Sequence, residues 1–201
     1  MAIRGVVFDV GNVIVRWSPR TLYSKIFADP AECDWFLENV CTMAWHMRHD
    51  AGVSFADNRA PLVARYPTYA AAIVAWETRW WEMFSGPIPE TVAAIEALHA
   101  RGVVLAGLTN MPSSTRDGTF AMSPAFARLS AIVVSGDVGL AKPDPAIFAL
   151  TAERAGLAPA ELLFVDDSPR NIAAAIACGY DTHLFEDPAA LHPALQARGL
   201  L

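Results

Sequence analysis

Gly5-Val6-Val7-Phe8-Asp9 is an apolar run that ends in a carboxylate, and Val10-Gly11-Asn12-Val13-Ile14-Val15 follows it directly. Such a run is typical of a strand that is buried on both faces of a parallel sheet. Asp9 would then lie at the mouth of that strand, where an ionised carboxylate is costly unless a cation or hydrogen-bond donors meet it. The rest of the chain must therefore supply partners for Asp9.

The strand pattern of this first run recurs along the chain. Short apolar or β-branched runs lie at residues 3–8, 103–108, 131–134, 162–165 and 182–185, and helical segments lie at 89–101, 145–155, 169–178 and 188–197. Ser-Pro or Asp-Pro pairs precede several of these segments, and the two residues suit the N-cap and the first helical position. Alternating strands and helices predict an α/β fold with a parallel sheet that helices cover on both faces.

Residues 16–86 interrupt this alternation. They contain all six tryptophans and no convincing strand, and their pattern predicts helices near 19–28, 30–47, 54–65 and 68–84. We therefore expect a small helical cap at residues 16–86, inserted into a core made of residues 1–15 and 87–201. Most of the tryptophans should form the interior of that cap, with Trp17 and Trp45 as candidates to line a pocket that faces the sheet.

The overall composition argues against several classes of partner. The 201 residues are 54% hydrophobic and carry a net charge of −6 with no Lys/Arg cluster, so nucleic-acid binding has little electrostatic basis. No apolar stretch reaches membrane-spanning length, and the N-terminus lacks a signal-peptide pattern. The three cysteines form no C-x-x-C pair, which favours a reduced protein. We expect a cytoplasmic monomer or homodimer without a membrane partner.

Chemically useful side chains follow the predicted strands, at the carboxyl ends where open parallel sheets bind ligands. They are Asp9, Thr109 with Asn110, Lys142, and the pair Asp166-Asp167. Each one alone is also explained by helix capping or by solvation, but together they suit phosphoryl transfer. Asp9 can attack phosphorus, and Thr109 and Lys142 can stabilise charge on the phosphoryl oxygens. Mg²⁺ would relieve the repulsion among three carboxylates in one cleft.

Taken together, these motifs resemble the haloacid dehalogenase-like (HAD) hydrolase superfamily. The matching stretches, in the family's order, are Phe8-Asp9-Val10-Gly11-Asn12-Val13-Ile14, Leu108-Thr109-Asn110, Gly139-Leu140-Ala141-Lys142-Pro143-Asp144-Pro145 and Phe164-Val165-Asp166-Asp167-Ser168. They span nearly the whole chain. The resemblance implies a Rossmann-like core, a helical cap of the type inserted after the first strand, a Mg²⁺ cofactor and a small-molecule phosphate substrate.

The resemblance also implies a role for each motif residue. Asp9 would be the nucleophile and a metal ligand, and Thr109, Asn110 and Lys142 would hold the phosphoryl group. The remaining metal-site positions would be the carboxylate of Asp167, the backbone carbonyl of Gly11, and Asp166, either as a ligand or as the holder of a metal-bound water.

Gly11 departs from the pattern of most phosphatases in this superfamily, which carry an aspartate two residues after the nucleophile. That aspartate protonates the leaving oxygen and then activates water, a contribution typically worth about 10²–10⁴-fold in rate. The form Asp-x-Gly-Asn-Val-Ile resembles a subgroup usually assigned to sugar phosphates. A substrate with a good leaving group would not need the acid. Alternatively, the titratable cluster of His46, His49 and Asp50 would supply one, although such a cluster is more typical of a solvated helix end.

Three other functions fit part of the pattern. Haloacid dehalogenases of this superfamily also lack the second aspartate and need no metal, but their fourth motif is less acidic than Asp166-Asp167. A HAD-like protein without catalytic activity would bind phosphometabolites and release no phosphate. Response-regulator receivers combine similar residues, but their acidic pair comes first in the chain and they have no place for the insertion at 16–86. We expect the Mg²⁺-dependent phosphatase.

Overall fold

The structure is a computed structural model that describes residues 2–201. The described residues form the strands β1 (Gly5–Phe8), β2 (Val15–Trp17), β3 (Phe84–Pro87), β4 (Val104–Thr109), β5 (Ala131–Val134), β6 (Leu162–Asp166) and β7 (Asp181–Leu184). Five of them make one parallel sheet in the order β5-β4-β1-β6-β7. This order confirms the predicted α/β class with a Rossmann-like sheet, and it puts β1 at the centre.

Helices connect the strands and cover the sheet. They are α1 (Pro19–Tyr23), α2 (Pro30–Asn39), α3 (Met43–Asp50), α4 (Phe55–Arg65), α5 (Ala70–Thr78), α6 (Pro89–Ala100), α7 (Arg116–Phe120), α8 (Ser135–Val138), α9 (Pro145–Ala155), α10 (Pro169–Ala177) and α11 (Pro188–Gln196). The predicted strand 131–134 and helix 145–155 are observed at the same residues, and the other core elements differ from prediction by one or two residues.

Each face of the sheet has its own hydrophobic cluster because neighbouring strand residues point to opposite faces. Val6 and Leu163 pack with residues of α6 and α11 on one face. Val7 and Phe164 pack with residues of α9 and α10 on the other face. The strands are therefore buried on both sides, which is why their sequences read as continuous apolar runs.

The Ser-Pro and Asp-Pro pairs begin helices as predicted. In three of them the aspartate caps the helix: Asp29, Asp144 and Asp187 each accept a hydrogen bond of 2.9 Å from the backbone N–H two residues later. Ser18 and Ser168 precede helices in the same way but make no side-chain cap hydrogen bond.

The helices between residues 19 and 83 pack around a hydrophobic cluster of their own, in which Tyr23, Phe36 and Trp76 are fully buried. Aromatic rings fill this cluster, as expected from the tryptophan content. Trp76 lies 5.3 Å from Trp45 and 5.9 Å from Tyr23, measured between ring centroids. Trp35 differs, because 43% of its surface is exposed.

Three of the predicted helices in this segment were too long. The predicted helix 19–28 ends at Tyr23, the predicted helix 30–47 is divided into α2 and α3, and the predicted helix 68–84 is observed as the shorter α5. The division occurs because Thr42 acts as an N-cap, its Oγ1 accepting a hydrogen bond of 3.1 Å from Trp45 N. A capping residue has extended backbone angles, so the first helix cannot continue through it.

The expectation that residues 16–86 contain no strand was also wrong. β2 and β3 pair antiparallel, and they lie where the chain leaves the sheet and returns to it. Backbone hydrogen bonds from Ser18 N to Met83 O (2.9 Å) and from Ile88 N to Ile14 O (2.8 Å) extend this connection. Strands of three and four residues are too short to show a recognisable periodic pattern. Their pairing cannot be read locally either, because the two strands lie far apart in the sequence.

Within residues 2–201, no helix combines the length and the apolar character that crossing a membrane requires.

Trp76→Ala should destabilise the protein by about 3–5 kcal/mol, because it removes a fully buried indole and leaves a cavity. Urea denaturation followed by circular dichroism measures this loss. Trp35→Ala is the matched control, and its effect should be smaller because 43% of the surface of Trp35 is already exposed to solvent. Equal losses for the two variants would contradict the packing described for this cluster.

Candidate active site

The predicted site residues meet at the carboxyl edge of the sheet, around a cavity of about 250 Å³. Asp9 follows β1, Thr109 ends β4 and Asp166 ends β6, whereas Lys142 lies in the loop between α8 and α9. The cavity is lined by six of the seven predicted residues: Asp9, Gly11, Thr109, Asn110, Lys142 and Asp167. Asp166, the seventh, lies directly behind them as a partner of Lys142.

Lys142 joins two carboxylates at the bottom of the cavity. Its Nζ lies 2.8 Å from Asp9 Oδ1 and 2.7 Å from Asp166 Oδ2, and it donates a third hydrogen bond of 3.2 Å to Leu108 O. All three ammonium hydrogens thus have an acceptor. At most 8% of the surface of Asp9, Lys142 or Asp166 is exposed, so the interaction is shielded from water.

Burial and charge act in opposite directions on this cluster. Burial lowers the pKa of Lys142, but the carboxylates of Asp9 and Asp166 raise it more, so the net shift is upward and the ammonium stays charged. Burial raises the pKa of Asp9 to about 7, while Lys142 lowers it and Asp166 raises it further. Asp9 thus depends on Lys142 for its charge, and a further cation would stabilise the carboxylate.

Asp166 is held by several donors besides Lys142. Its Oδ1 accepts hydrogen bonds from Ser168 N at 2.8 Å and from Asn171 Nδ2 at 3.0 Å, and Asn171 also reaches Oδ2 at 3.1 Å. Sequence reasoning missed Asn171, which lines the cavity as well. The sequence signal that could have identified Asn171 is its position in the first turn of α10, a helix that begins directly after Asp166 and Asp167 at the end of β6.

Asn110 clamps the backbone of Lys142. Its Oδ1 accepts a hydrogen bond of 2.8 Å from Lys142 N, and its Nδ2 donates one of 3.0 Å to Lys142 O. Since the amide makes both hydrogen bonds to one residue, it fixes the loop that carries the lysine. Asn110 also lines the cavity, and its contact with a substrate stays a prediction.

The carboxylates of Asp9, Asp166 and Asp167 form a group of the kind that holds a metal ion, with one oxygen of each within 4.8 Å of the others. Burial and the charge of Asp166 raise the pKa of Asp167, whereas Lys142 lowers it. Three hard oxygen donors on one side of a cavity suit Mg²⁺. The residues therefore fit the ion that the sequence predicts.

A protein-family model described as haloacid dehalogenase-like hydrolase matches residues 3–179 of the chain. The chain belongs to this family. The match runs from β1 to the end of α10 and includes the helical segment between β2 and β3, but it ends before β7.

Curated relatives of this HAD-like hydrolase match a part of it. Phosphoserine phosphatase from Thermus thermophilus is 36% identical over 83 residues, which cover 41% of this chain and 33% of that protein. Phosphoglycolate phosphatase from Escherichia coli is 35% identical over 91 residues, which cover 45% of this chain and 36% of that protein. The chain thus matches about a third of the length of these relatives.

Solved structures match nearly the whole fold at low sequence identity. A HAD family enzyme from Bacteroides thetaiotaomicron, in complex with magnesium and inorganic phosphate, has a TM-score of 0.67 at 20% identity and covers 94% of this chain and 99% of its own. A dehalogenase has a TM-score of 0.74 at 18% identity, with coverages of 96% and 97%. These similarities establish the fold.

Gly11 leaves open space in the HAD-like site. A Cβ added at this glycine would meet no other atom within 4 Å, and Gly11 lines the cavity. The adjacent Asn12 has a left-handed backbone with φ of 58°, and its Oδ1 accepts a hydrogen bond of 3.0 Å from Trp17 N. The turn after β1 is therefore closed by Asn12, and nothing in its packing requires a glycine at position 11.

Residues between 16 and 86 also line the cavity. They are Trp17, Met43, His46, Asp50, Trp80 and Phe84. Trp17 thus lines the pocket, as one of the two tryptophans predicted for it, whereas Trp45 is not among the lining residues. The expectation that His46, His49 and Asp50 mark a solvated helix end was wrong, because all three are buried.

Lys142→Met should destabilise the protein by about 3–5 kcal/mol, because it leaves two buried carboxylates without a counter-charge. The loss should be larger at pH 8 than at pH 5, since protonation of Asp9 relieves the repulsion at low pH. Urea denaturation at both pH values measures it. Lys25→Met removes an exposed ion pair with Glu82 and should change stability little. Similar losses in both variants would contradict the buried cluster.

Proposed function

We propose that the protein is a Mg²⁺-dependent phosphomonoester hydrolase that forms an aspartyl-phosphate on Asp9. Residues 1–15 and 87–201 would form the catalytic core, and residues 16–86 the cap. The observation that carries the proposal is the buried carboxylate of Asp9, bound by Lys142 and grouped with two further carboxylates at the cavity. This combination provides a nucleophile, a fixed positive charge and a place for a divalent cation.

The orientation of Asp9 suits nucleophilic attack. Its Oδ1 accepts hydrogen bonds from Lys142 Nζ at 2.8 Å and from Val10 N at 2.7 Å, which hold the carboxylate plane. In the first step a carboxylate oxygen attacks phosphorus and the bond to the leaving oxygen breaks. In the second step water cleaves the aspartyl-phosphate and releases inorganic phosphate. Such transfers depend mostly on positioning and on charge stabilisation, because little covalent chemistry is required of the protein.

Thr109 and Lys142 are the proposed contacts of the phosphoryl group. Thr109 is buried and lines the cavity beside Asp9, so its hydroxyl is available to donate to a phosphoryl oxygen. The Lys142 ammonium would balance a second oxygen as negative charge spreads over the equatorial positions. Asn110 supports this function by fixing the lysine backbone.

Mg²⁺ would be held by Asp9, by Asp167 and by the backbone carbonyl of Gly11. Asp166 accepts hydrogen bonds from three residues, so we propose that it holds the lysine and a metal-bound water. The ion would supply positive charge that neutralises phosphate oxygens and reduces repulsion between phosphate and the carboxylates.

The comparisons support a phosphate ester as the substrate. Two curated relatives are phosphatases of small phosphorylated acids, although each is matched over about a third of its length. A solved structure of similar fold contains magnesium and inorganic phosphate. The cavity of about 250 Å³ lies below the range typical of drug-sized ligands, which favours a small phosphometabolite such as a sugar phosphate.

A phosphate-release screen tests the proposal. Purified protein would be incubated with sugar phosphates, nucleotides and acyl phosphates, each with and without Mg²⁺, beside a 2-haloacid control assayed for halide. We expect Mg²⁺-dependent phosphate release from at least one small ester. Metal-independent halide release would favour the dehalogenase instead, and phosphate binding without release would favour the non-catalytic protein.

Asp9→Asn should abolish phosphate release while circular dichroism remains that of the wild type, because an amide of the same shape is not a nucleophile. Phosphate release under saturating Mg²⁺ measures the effect. Asp117→Asn is the matched control, since the Asp117 side chain is 89% exposed. Activity of Asp9→Asn at the wild-type rate would disprove the covalent intermediate.

Asp167→Ala should raise the Mg²⁺ concentration needed for half-maximal activity by at least about 10-fold. Loss of a residue that only supports a metal ligand already lowers metal affinity by about 10-fold or more. The reason is the loss of one of three carboxylates grouped at the cavity. A Mg²⁺ titration of phosphate release measures the shift, with Asp117→Ala as control. If the titration of Asp167→Ala matched the wild type, Asp167 would not be a ligand.

A further inference from the structure

Helix α3 presents two buried polar groups to the cavity without giving them partners. His46 and Asp50, one helical turn apart, are 4% and 6% exposed, and both line the cavity. His46 Nδ1 and Asp50 Oδ1 have no hydrogen-bond partner within residues 2–201. His46 Nε2 lies 3.5 Å from Asp50 Oδ1. Buried polar groups that lack partners are costly, and these two side chains line the space that a substrate would occupy.

His49, on the same helix, is a buried histidine whose two ring nitrogens both have protein partners. Its Nδ1 lies 3.3 Å from Val53 O, and its Nε2 lies 3.1 Å from Asn58 Nδ2. Both ring nitrogens are therefore used by the protein, and His49 does not line the cavity. His46 and Asp50 lack this saturation and line the cavity, which distinguishes the two residues from His49.

Aromatic packing fixes the ring of His46. Its ring stacks on Trp17 with 5.2 Å between the centroids, and it lies 5.2 Å from Trp76 and 5.6 Å from Trp80. These contacts hold the imidazole in one orientation beside the carboxyl of Asp50. The pair lines the same cavity as Asp9 and Lys142.

Burial keeps His46 neutral and allows Asp50 to hold a proton. Burial raises the pKa of Asp50 to about 7, with Lys142 lowering it. Burial and the nearby His49 lower the pKa of His46 to about 3. The helices α8 and α4 pack against α3. On α8, Asp137 accepts a hydrogen bond from Arg116. On α4, Asp57 bonds to Ser54, Arg59 bonds to Glu77 and Arg65 lies over the ring of Tyr66.

We propose that Asp50 is the catalytic acid and base of the phosphatase reaction and that His46 is the residue that positions it. The proposal rests on the function proposed above. It assigns to the helical segment the proton transfers for which position 11 has no side chain, because Gly11 lines the same cavity as Asp50.

The proton transfers balance over the two steps. When Asp9 attacks phosphorus, the electron pair of the breaking P–O bond goes to the leaving oxygen, and the proton of the Asp50 carboxyl moves to that oxygen. The alcohol departs and Asp50 is left ionised. Water then attacks the aspartyl-phosphate, Asp50 accepts a proton from it, and the broken P–O bond returns its electron pair to the Asp9 carboxylate. Inorganic phosphate leaves and Asp50 is again protonated.

A series of leaving groups tests this role. Asp50→Asn keeps the shape but not the acid, so kcat/KM for an alkyl ester such as glycerol phosphate should fall by about 10²–10⁴-fold. Acetyl phosphate releases acetate, a leaving group that needs no proton. If Asp50 acts as an acid, Asp50→Asn should therefore lower kcat/KM for acetyl phosphate by less than about 10-fold. Glu38→Gln, an exposed acid of the same segment, is the control. Equal losses for both substrates would overturn the proposal.

Two further variants separate catalysis from folding. Gly11→Asp fits the open space at position 11 and should restore ester hydrolysis at least partly in the Asp50→Asn background. His46→Ala should reduce ester hydrolysis with the same dependence on the leaving group, and it should add little to Asp50→Asn, because the two residues act as one unit. Additive losses, or no rescue by a folded Gly11→Asp double variant, would contradict the assignment.

Thermal stability provides a readout independent of activity. The pKa of Asp50 is raised from 3.8 to about 7, so the stability associated with its protonated form is present below pH 3.8 and is lost as the pH rises through 7. Asp50→Asn should therefore increase Tm more at pH 8 than at pH 5. A lower Tm than the wild type at pH 8 would show that Asp50 has a structural partner, against the proposal. A wild type that releases phosphate from no substrate would instead refute the proposed function, whatever the Tm.

Discussion

The ammonium of Lys142 between the carboxylates of Asp9 and Asp166 is the interaction on which the site depends. Two acids end neighbouring strands at the centre of the sheet, where water is excluded and like charges repel strongly. The lysine comes from a distant loop, and Asn110 fixes that loop through both backbone groups of the lysine. A buried cluster of this kind is weak support for stability, because the desolvation of three charges offsets much of their attraction. Its value lies in holding one carboxylate in a fixed orientation at a cavity.

The helical segment contributes polar side chains to the cavity at the carboxyl edge of the sheet. Its aromatic cluster is large enough to pack α3 rigidly, and α3 in turn carries two polar groups that the segment itself leaves without partners. In a site where Gly11 provides no side chain, the lining residues of the helical segment are a further source of proton-transferring groups. Residues that reduce stability where they stand, such as a buried unpaired carboxyl, are often retained because the activity requires them. Asp50 has these properties, whereas the saturated His49 beside it does not.

Much of the fold and of the candidate site was predictable from local patterns. β5 and α9 are observed at the predicted residues because an apolar run, an Asp-Pro cap and a terminal glycine are all local signals. The family assignment followed from motifs that span nearly the whole chain. The division of the predicted helix 30–47 at Thr42 and the pairing of β2 with β3 were missed. A cap inside a helical pattern is ambiguous in a single sequence, and a two-stranded pair is defined by a partner that local periodicity does not reveal.

The sequence by itself determined the sheet, its two apolar faces and the set of residues at its carboxyl edge, because apolar runs and capping pairs are encoded within a few residues of each element. Only the tertiary structure decided which polar groups of the helical segment reach those residues. His46, His49 and Asp50 look alike in the sequence, yet one is saturated by Asn58 and Val53 while the other two face the cavity. That difference depends on how α3 packs against Trp17, Trp76 and Trp80, which are contacts between residues far apart in the chain. Such long-range packing sets burial and partners, and these in turn set the chemistry of a titratable side chain.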